Sequence, residues 1–92
     1  MRESEALEDL VLVLLYMFSW SEKVSPDFSV ARSWKGYSFD VLDALEDKGC
    51  VSSSHRAKSV IITDEGLKRA SELKEKMSAA LSSTYEDKTG ID

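Results

Sequence analysis

Residues 32–67 read RSWKGYSFDVLDALEDKGCVSSSHRAKSVIITDEGL, and the order of the signals in this stretch decides the fold. An amphipathic helix is predicted over residues 38–48, where it ends because Gly49 can adopt the left-handed conformation that often follows a helix. Residues 51–53 and 58–63 are short β-prone runs joined by a polar four-residue turn, which predicts a hairpin. The buried side of the helix is predicted to consist of Val41, Leu42 and Leu45.

The segments before this stretch are predicted to hold helices and a loop. Ser4 is well placed to cap a first helix that runs to about residue 20. The second half of that helix, LVLVLLYMF, is apolar on every face, so we expect it to be buried on all sides. Residues 21–28, which contain the one proline, are predicted to form a loop, and residues 29–36 a short helix closed by Gly36.

The segments after it complete one domain. Thr63 or Asp64 is predicted to cap a last helix. We expect residues 1–81 to form the single domain and residues 82–92 to form a polar, disordered tail. The apolar face of the last helix carries Leu67, Ala70, Leu73, Met77 and Leu81 at helical spacing.

Composition limits the classes of protein that fit. The chain has 92 residues, enough for one core, and its single cysteine, Cys50, excludes an internal disulfide and favours a cytoplasmic location. The apolar run over residues 10–18 is about half a membrane span, so no membrane association is expected. The net charge of −5 does not favour nucleic acid, but residues 21–62 carry six acids and six bases, so DNA is not excluded.

Two resemblances follow from these motifs. The pattern L-x-x-L-E-x-K-G, hairpin, I-T-x-E-G resembles the winged-helix core of bacterial transcription regulators; it is carried by Leu42, Leu45, Glu46, Lys48, Gly49, Ile62, Thr63, Glu65 and Gly66. The pattern R-x-W-K-G-Y, K-G, A-K-S-V, T-x-E-G resembles a family of small uncharacterised bacterial winged-helix proteins; it is carried by Arg32, Trp34, Lys35, Gly36, Tyr37, Lys48, Gly49, Ala57, Lys58, Ser59, Val60, Thr63, Glu65 and Gly66.

The resemblance implies an α+β winged helix with three or four helices and a two- or three-stranded antiparallel wing sheet. Members of the smaller family often have a histidine in the helix before K-G and a proline in the hairpin, where this chain has Glu46-Asp47 and Ser52-Ser53-Ser54. The resemblance to regulators implies a DNA-binding transcription regulator, whereas the smaller family implies no activity.

Basic residues on the wing are the candidate contacts to double-stranded DNA. Arginine in a flexible wing commonly contacts the DNA backbone or minor groove. The alternative is an ordinary hairpin tip whose charges keep it soluble. The predicted DNA-contacting residues are Arg32, Lys35, His55, Arg56 and Lys58.

The helix before the wing carries an acidic stripe. Asp40, Asp43 and Asp47 fall on one face, opposite the apolar side, and carboxylates there would repel phosphates in a DNA groove. This stripe is either a solvated face or a surface for a basic protein partner, which is the alternative function. Trp34 is expected in the core, because a small domain needs large aromatic side chains for buried area. The alternative is a basic and aromatic patch that stacks bases or contacts phosphates, formed by Arg32, Trp34, Lys35 and Tyr37.

No catalytic, cofactor-binding or metal site is predicted. His55 and Cys50 lie on a short hairpin without a third group to orient them, so we expect that the protein is not an enzyme. The last helix offers a homodimer surface, since two-fold dimers are the commonest assembly; the residues are Leu67, Leu73, Met77 and Leu81. The alternative is that this helix packs on the first helix of its own chain.

Overall fold

The computed structural model describes residues 3–54 and 56–89, which form three helices and four strands. The chain is α+β, as predicted. The helices are α1 (Glu3–Met17), α2 (Phe39–Asp47) and α3 (Asp64–Thr89), and the strands are β1 (Trp20–Ser25), β2 (Phe28–Trp34), β3 (Val51–Ser53) and β4 (Ser59–Ile62). None of the helices in this described part is both long and apolar enough to cross a membrane.

The four strands form one antiparallel sheet in the order β1-β2-β4-β3. Paired residues share a face, so Ser33 with Val60, and Val51 with Ile62, point toward the helices, where all four are buried. The opposite face carries Trp34. The core between sheet and helices contains Val11, Leu12, Leu15, Leu42, Leu45, Cys50, Val51, Val60, Ile62 and Ala70.

Both predictions for residues 21–36 are wrong. These residues form most of the β1–β2 hairpin rather than a loop and a short helix, and Pro26 and Asp27 lie in its turn. Proline fixes the backbone angle φ that a tight turn needs, and it donates no ladder hydrogen bond, so a turn suits it better than a strand. The sheet therefore has four strands, one or two more than predicted.

The predicted end of α2 is confirmed. Gly49 has φ of 77°. Its N–H donates to the carbonyl of Glu46, and the N–H of Cys50 donates to the carbonyl of Leu45, both at 2.9 Å. This pair of bonds is a Schellman motif, which satisfies carbonyls at the end of a helix and turns the chain into β3.

The start of α3 is confirmed at Thr63. Its hydroxyl oxygen accepts a hydrogen bond from the N–H of Gly66 at 3.0 Å, and the hydroxyl donates to the carbonyl of Gly49. Thr63 therefore caps α3 and ties it to the end of α2. The helix continues to Thr89, through much of the segment expected to be a tail, and residues 90–92 lie outside the described part.

Within the single chain, α1 is buried on one side only, so the expected burial on every side is not reached there. Its buried residues include Leu12 and Leu15, which face the sheet and the other helices. The opposite side is exposed because the sheet, α2 and α3 contact only one side of a single helix layer. Its exposed apolar residues are Leu7, Leu10, Leu14 and Met17.

Candidate functional site

Three basic residues come together around the turn between β3 and β4, which we call the wing. Arg56 and Lys58 lie on the wing itself and are exposed. Lys35 follows β2 and reaches the wing because β2 pairs with β4. Its N–H donates to the carbonyl of Lys58 at 2.9 Å, and its ammonium group donates to the carbonyl of Ser54 at 2.6 Å. Three predicted contact residues therefore lie together.

The other two predicted residues do not add to this group. Arg32 lies on the outer face of the sheet, where its guanidinium pairs with Glu22 and donates to the hydroxyl of Ser59 at 3.2 Å. Its charge is therefore partly neutralised. His55 lies outside the described residues.

The base of the wing is held by α2 and by its own hydrogen bonds. A carboxylate oxygen of Glu46 accepts from the N–H of Ser53 at 2.9 Å and from its hydroxyl at 3.3 Å. Within the turn, the N–H of Ala57 donates to the carbonyl of Ser54 at 3.1 Å. These bonds connect the wing to α2, so the wing cations sit on an anchored hairpin.

Among the side chains that the structure describes, no carboxylate lies within ion-pair distance of Lys35, Arg56 or Lys58. An exposed cation without an acidic neighbour keeps its full attraction for an anionic ligand. The wing therefore offers a local positive charge on a protein whose net charge is negative.

Exposed aromatic residues border the wing, which the sequence did not lead us to expect. Trp34 is 63% exposed, so its placement in the core was wrong, and Phe39 is 76% exposed. Trp34 contacts Trp20 with ring centroids 4.8 Å apart. A shallow pocket of about 420 Å³ lies here, lined by Trp34, Lys35, Tyr37, Phe39, Ala57 and Lys58.

A signal for the exposure of Trp34 was present in the sequence. Residues 28–34 read FSVARSW, which alternates larger side chains with small ones at a period of two. That period belongs to a strand, and the small residues Ala31 and Ser33 are the ones that face the helices. Phe39 has no such signal, because it precedes the buried Leu42 by three residues and helical spacing alone places the two on neighbouring positions of one face.

The acidic stripe on α2 is exposed. Asp40, Asp43 and Asp47 all face solvent, opposite the buried Leu42 and Leu45. Two oppositely charged surfaces thus belong to neighbouring elements, the cations to the wing and the carboxylates to α2.

A second set of charges holds the three helices together. Asp9 is buried, at 4% exposure, and accepts a hydrogen bond from the guanidinium of Arg69 at 2.9 Å, which links α1 to α3. Glu8 pairs with Lys48 just after α2. The hydrogen bond to Glu8 raises the pKa of Lys48, and the one to Asp9 raises the pKa of Arg69. These partnered groups support the fold.

Cys50 and the predicted dimer face also contribute to the core. Cys50 is buried, and burial raises the pKa of its thiol. Leu67 and Leu73 pack against the core of their own chain, and Met77 is half-buried. Of the four residues predicted to form the dimer face, Leu81 alone is exposed, at 58%. The apolar surface on α1 is therefore the larger one.

The fold and the site define a small α+β protein with a layer of helices on one face of an antiparallel sheet and a basic, aromatic surface at one hairpin. The chain belongs to the family described as a domain of unknown function, DUF6429, which matches residues 3–80. It is 31% identical over 72 residues to the uncharacterized protein y4hR of Sinorhizobium fredii, covering 77% of this chain and 86% of that protein. No solved structure matches the chain.

Proposed function

We propose that this protein binds double-stranded DNA through its wing, in the manner of a small transcription regulator. The observation that carries the proposal is the grouping of Lys35, Arg56 and Lys58 around one anchored turn without acidic partners among the described side chains. Duplex DNA carries closely spaced phosphates, and cations that neutralise them release counterions and so gain affinity.

We further propose that the fold is a modified winged helix. The order α2, β3, β4, α3 matches the second half of a winged helix, and the β1–β2 hairpin replaces the helix that would complete a helix-turn-helix. The acidic residues of α2 oppose its insertion into the major groove. DNA contact therefore falls mainly on the wing, and phosphate contacts of this kind fix position more than they select sequence.

The test is a titration of a fluorescent mixed-sequence duplex, followed by anisotropy at about 50 and 200 mM salt. We expect measurable binding at the lower salt concentration and a steep loss at the higher one. Absence of binding at both concentrations, with the protein shown to be folded by circular dichroism, would contradict a wing that holds phosphates irrespective of sequence.

A second candidate function is the binding of a basic protein through α2. The exposure of Asp40, Asp43 and Asp47 on one helix face favours it. Polylysine is a suitable probe, and substitution of the three aspartates by asparagine should abolish its binding while leaving the wing unchanged. A protein that binds polylysine but no duplex would favour this function over the first.

We also propose that the protein is a homodimer that pairs through α1. The exposed Leu7, Leu10, Leu14 and Met17 are spaced three, four and three residues apart, the spacing at which two helices form a continuous apolar seam. A second copy presents the same stripe, so a two-fold interface is self-complementary. This surface replaces the α3 face as the proposed contact.

A further inference from the structure

We infer that Trp34 and Phe39, together with the neighbouring wing lysines, form a binding site for unpaired bases of single-stranded nucleic acid. The inference rests on the proposed function, since it uses the same cations, and it adds a stacking platform that the phosphate contacts do not require. We call Trp34, Phe39, Lys35 and Lys58 the base site.

The two rings of the base site come from consecutive elements of the fold, β2 and α2. Trp34 is the last residue of β2, and Phe39 is the first residue of α2 after a loop of four residues. Both residues line the same pocket, so they border one concave surface. Trp20 supports Trp34 from within the sheet face. This contact restricts the ring of Trp34 before any ligand binds.

The charges on the pocket indicate what occupies it. Lys35 and Lys58 line it beside the two rings. An apolar peptide would gain from the rings and nothing from the cations, whereas a free phosphate would gain from the cations alone. Single-stranded nucleic acid presents a flat base and a phosphate in every nucleotide, so it uses both kinds of group.

The stacking requirement separates single strands from duplexes. In a duplex, each base already stacks on its neighbours, and side chains reach only the base edges and the phosphates. A protein ring can cover the face of a base when that base is unpaired and turned outward. The wing cations serve either ligand, but Trp34 and Phe39 serve the single strand.

The experiment compares oligo(dT) with a mixed-sequence duplex, using anisotropy for both and tryptophan emission for oligo(dT). The variants are Trp34→Ala and Phe39→Ala. The matched control is Phe28→Ala, because Phe28 is 57% exposed at the other end of β2, near the β1–β2 turn. Trp34→Phe keeps an aromatic ring and should keep most of the affinity.

We expect oligo(dT) to quench the emission of the unsubstituted protein. Trp34→Ala and Phe39→Ala should each weaken oligo(dT) binding by about fivefold or more, since stacking contributes strongly for each base. Duplex affinity should change by less than about twofold, because the duplex is held mainly by its phosphates. Phe28→Ala should change neither affinity.

Four results overturn the inference. Equal losses for oligo(dT) and duplex, or an oligo(dT) affinity unaffected by Phe39→Ala, would remove the rings from base recognition. Duplex binding without oligo(dT) binding would remove the base site and leave the proposed function intact. Absence of binding to either ligand would remove both. Phe39→Ala is the decisive variant if Trp34→Ala fails to fold, because Phe39 is the more exposed residue.

Discussion

Gly66 packs so closely against the carbonyl oxygen of Cys50 that there is no room for a β-carbon between them. The same carbonyl accepts a hydrogen bond from the N–H of Thr63 at 3.0 Å. The first turn of α3 is thereby held directly on the backbone that follows α2. A glycine is required at residue 66 for space rather than for an unusual φ, and this explains the glycine in the I-T-x-E-G motif.

Gly66→Ala should lower the free energy of unfolding by about 3 kcal/mol, because the added methyl group overlaps backbone that cannot rotate away. Urea unfolding followed by circular dichroism measures the change. Gly36→Ala is the matched control: the space around Gly36 is open, so its effect should stay within about 0.5 kcal/mol. Similar stabilities for the two variants would contradict this account of Gly66.

Arg69→Met should destabilise the protein by about 2 kcal/mol. The substitution leaves the buried carboxylate of Asp9 without its hydrogen-bonding cation, and the partial exposure of Arg69 keeps the loss below that of a fully buried pair. The double variant Asp9→Leu/Arg69→Met removes both charges and should recover part of the loss. The two single losses of stability, added together, give the loss expected for independent residues. A double variant that loses more than this sum would contradict the pairing.

Stability should fall as the pH rises above about 9. Burial raises the pKa of the Cys50 thiol above its ordinary value of 9.0, so the folded protein keeps a proton that the unfolded chain has lost. The folded state then binds more protons, and alkaline pH favours unfolding. Lys48, whose pKa is also raised, acts in the same direction at higher pH.

The effect is measured by comparing the urea unfolding midpoint at pH 7 with that at pH 10, because these lie on either side of the ordinary thiol pKa of about 9. Cys50→Ala removes the thiol and should show a smaller fall between the two pH values, although its midpoint at neutral pH is lower because the side chain no longer fills the core. The same fall in both proteins would assign the alkaline sensitivity to other groups.

Arg56→Gln/Lys58→Gln should weaken duplex binding at every sequence alike and reduce the salt slope by about two, one for each phosphate that the wing no longer neutralises. Lys23→Gln/Lys74→Gln makes the same change in net charge at exposed lysines on β1 and α3, away from the wing. This control should retain the full slope. Equal slopes in the two double variants would mean that net charge, and not the wing, governs binding.

Leu10→Glu should convert the proposed α1 dimer into a monomer, because it places a carboxylate in the middle of the apolar seam. Leu10 is half-exposed in the single chain, so the folded monomer should survive the change. Sedimentation velocity measures the assembly state. Leu81→Glu tests the α3 face and should leave the dimer intact; a monomer from Leu81→Glu alone would assign the interface to α3 instead.

The second half of the fold was predictable because each boundary there has a local cause. Gly49 ends α2 through its own backbone angle, and Thr63 begins α3 through its own hydroxyl. The first half was missed although β1 and β2 pair as a local hairpin, because β2 alternates in side-chain size rather than in polarity. Its inward residues, such as Ala31 and Ser33, are small and give no apolar stripe; pairing with β4 buries them.

The candidate site also has a part that was predictable from local sequence and a part that was not. Arg56 and Lys58 are neighbours in one turn, so their proximity follows from sequence. Lys35 joins them because β2 lies beside β4, which no local pattern specifies. The exposure of Trp34 depends on which face of the sheet the helices cover, and its size alone favoured the core.

The position of β4 between β2 and β3 also affects how the protein is made. On a ribosome, α1 and the β1–β2 hairpin emerge first, while the strand that completes the sheet and the arginine that neutralises Asp9 are still to be translated. The side of α1 that is buried in the folded protein is therefore exposed during synthesis. The core includes Ala70, with Leu73 packed against it, so it is complete only after the first half of α3 has left the exit tunnel.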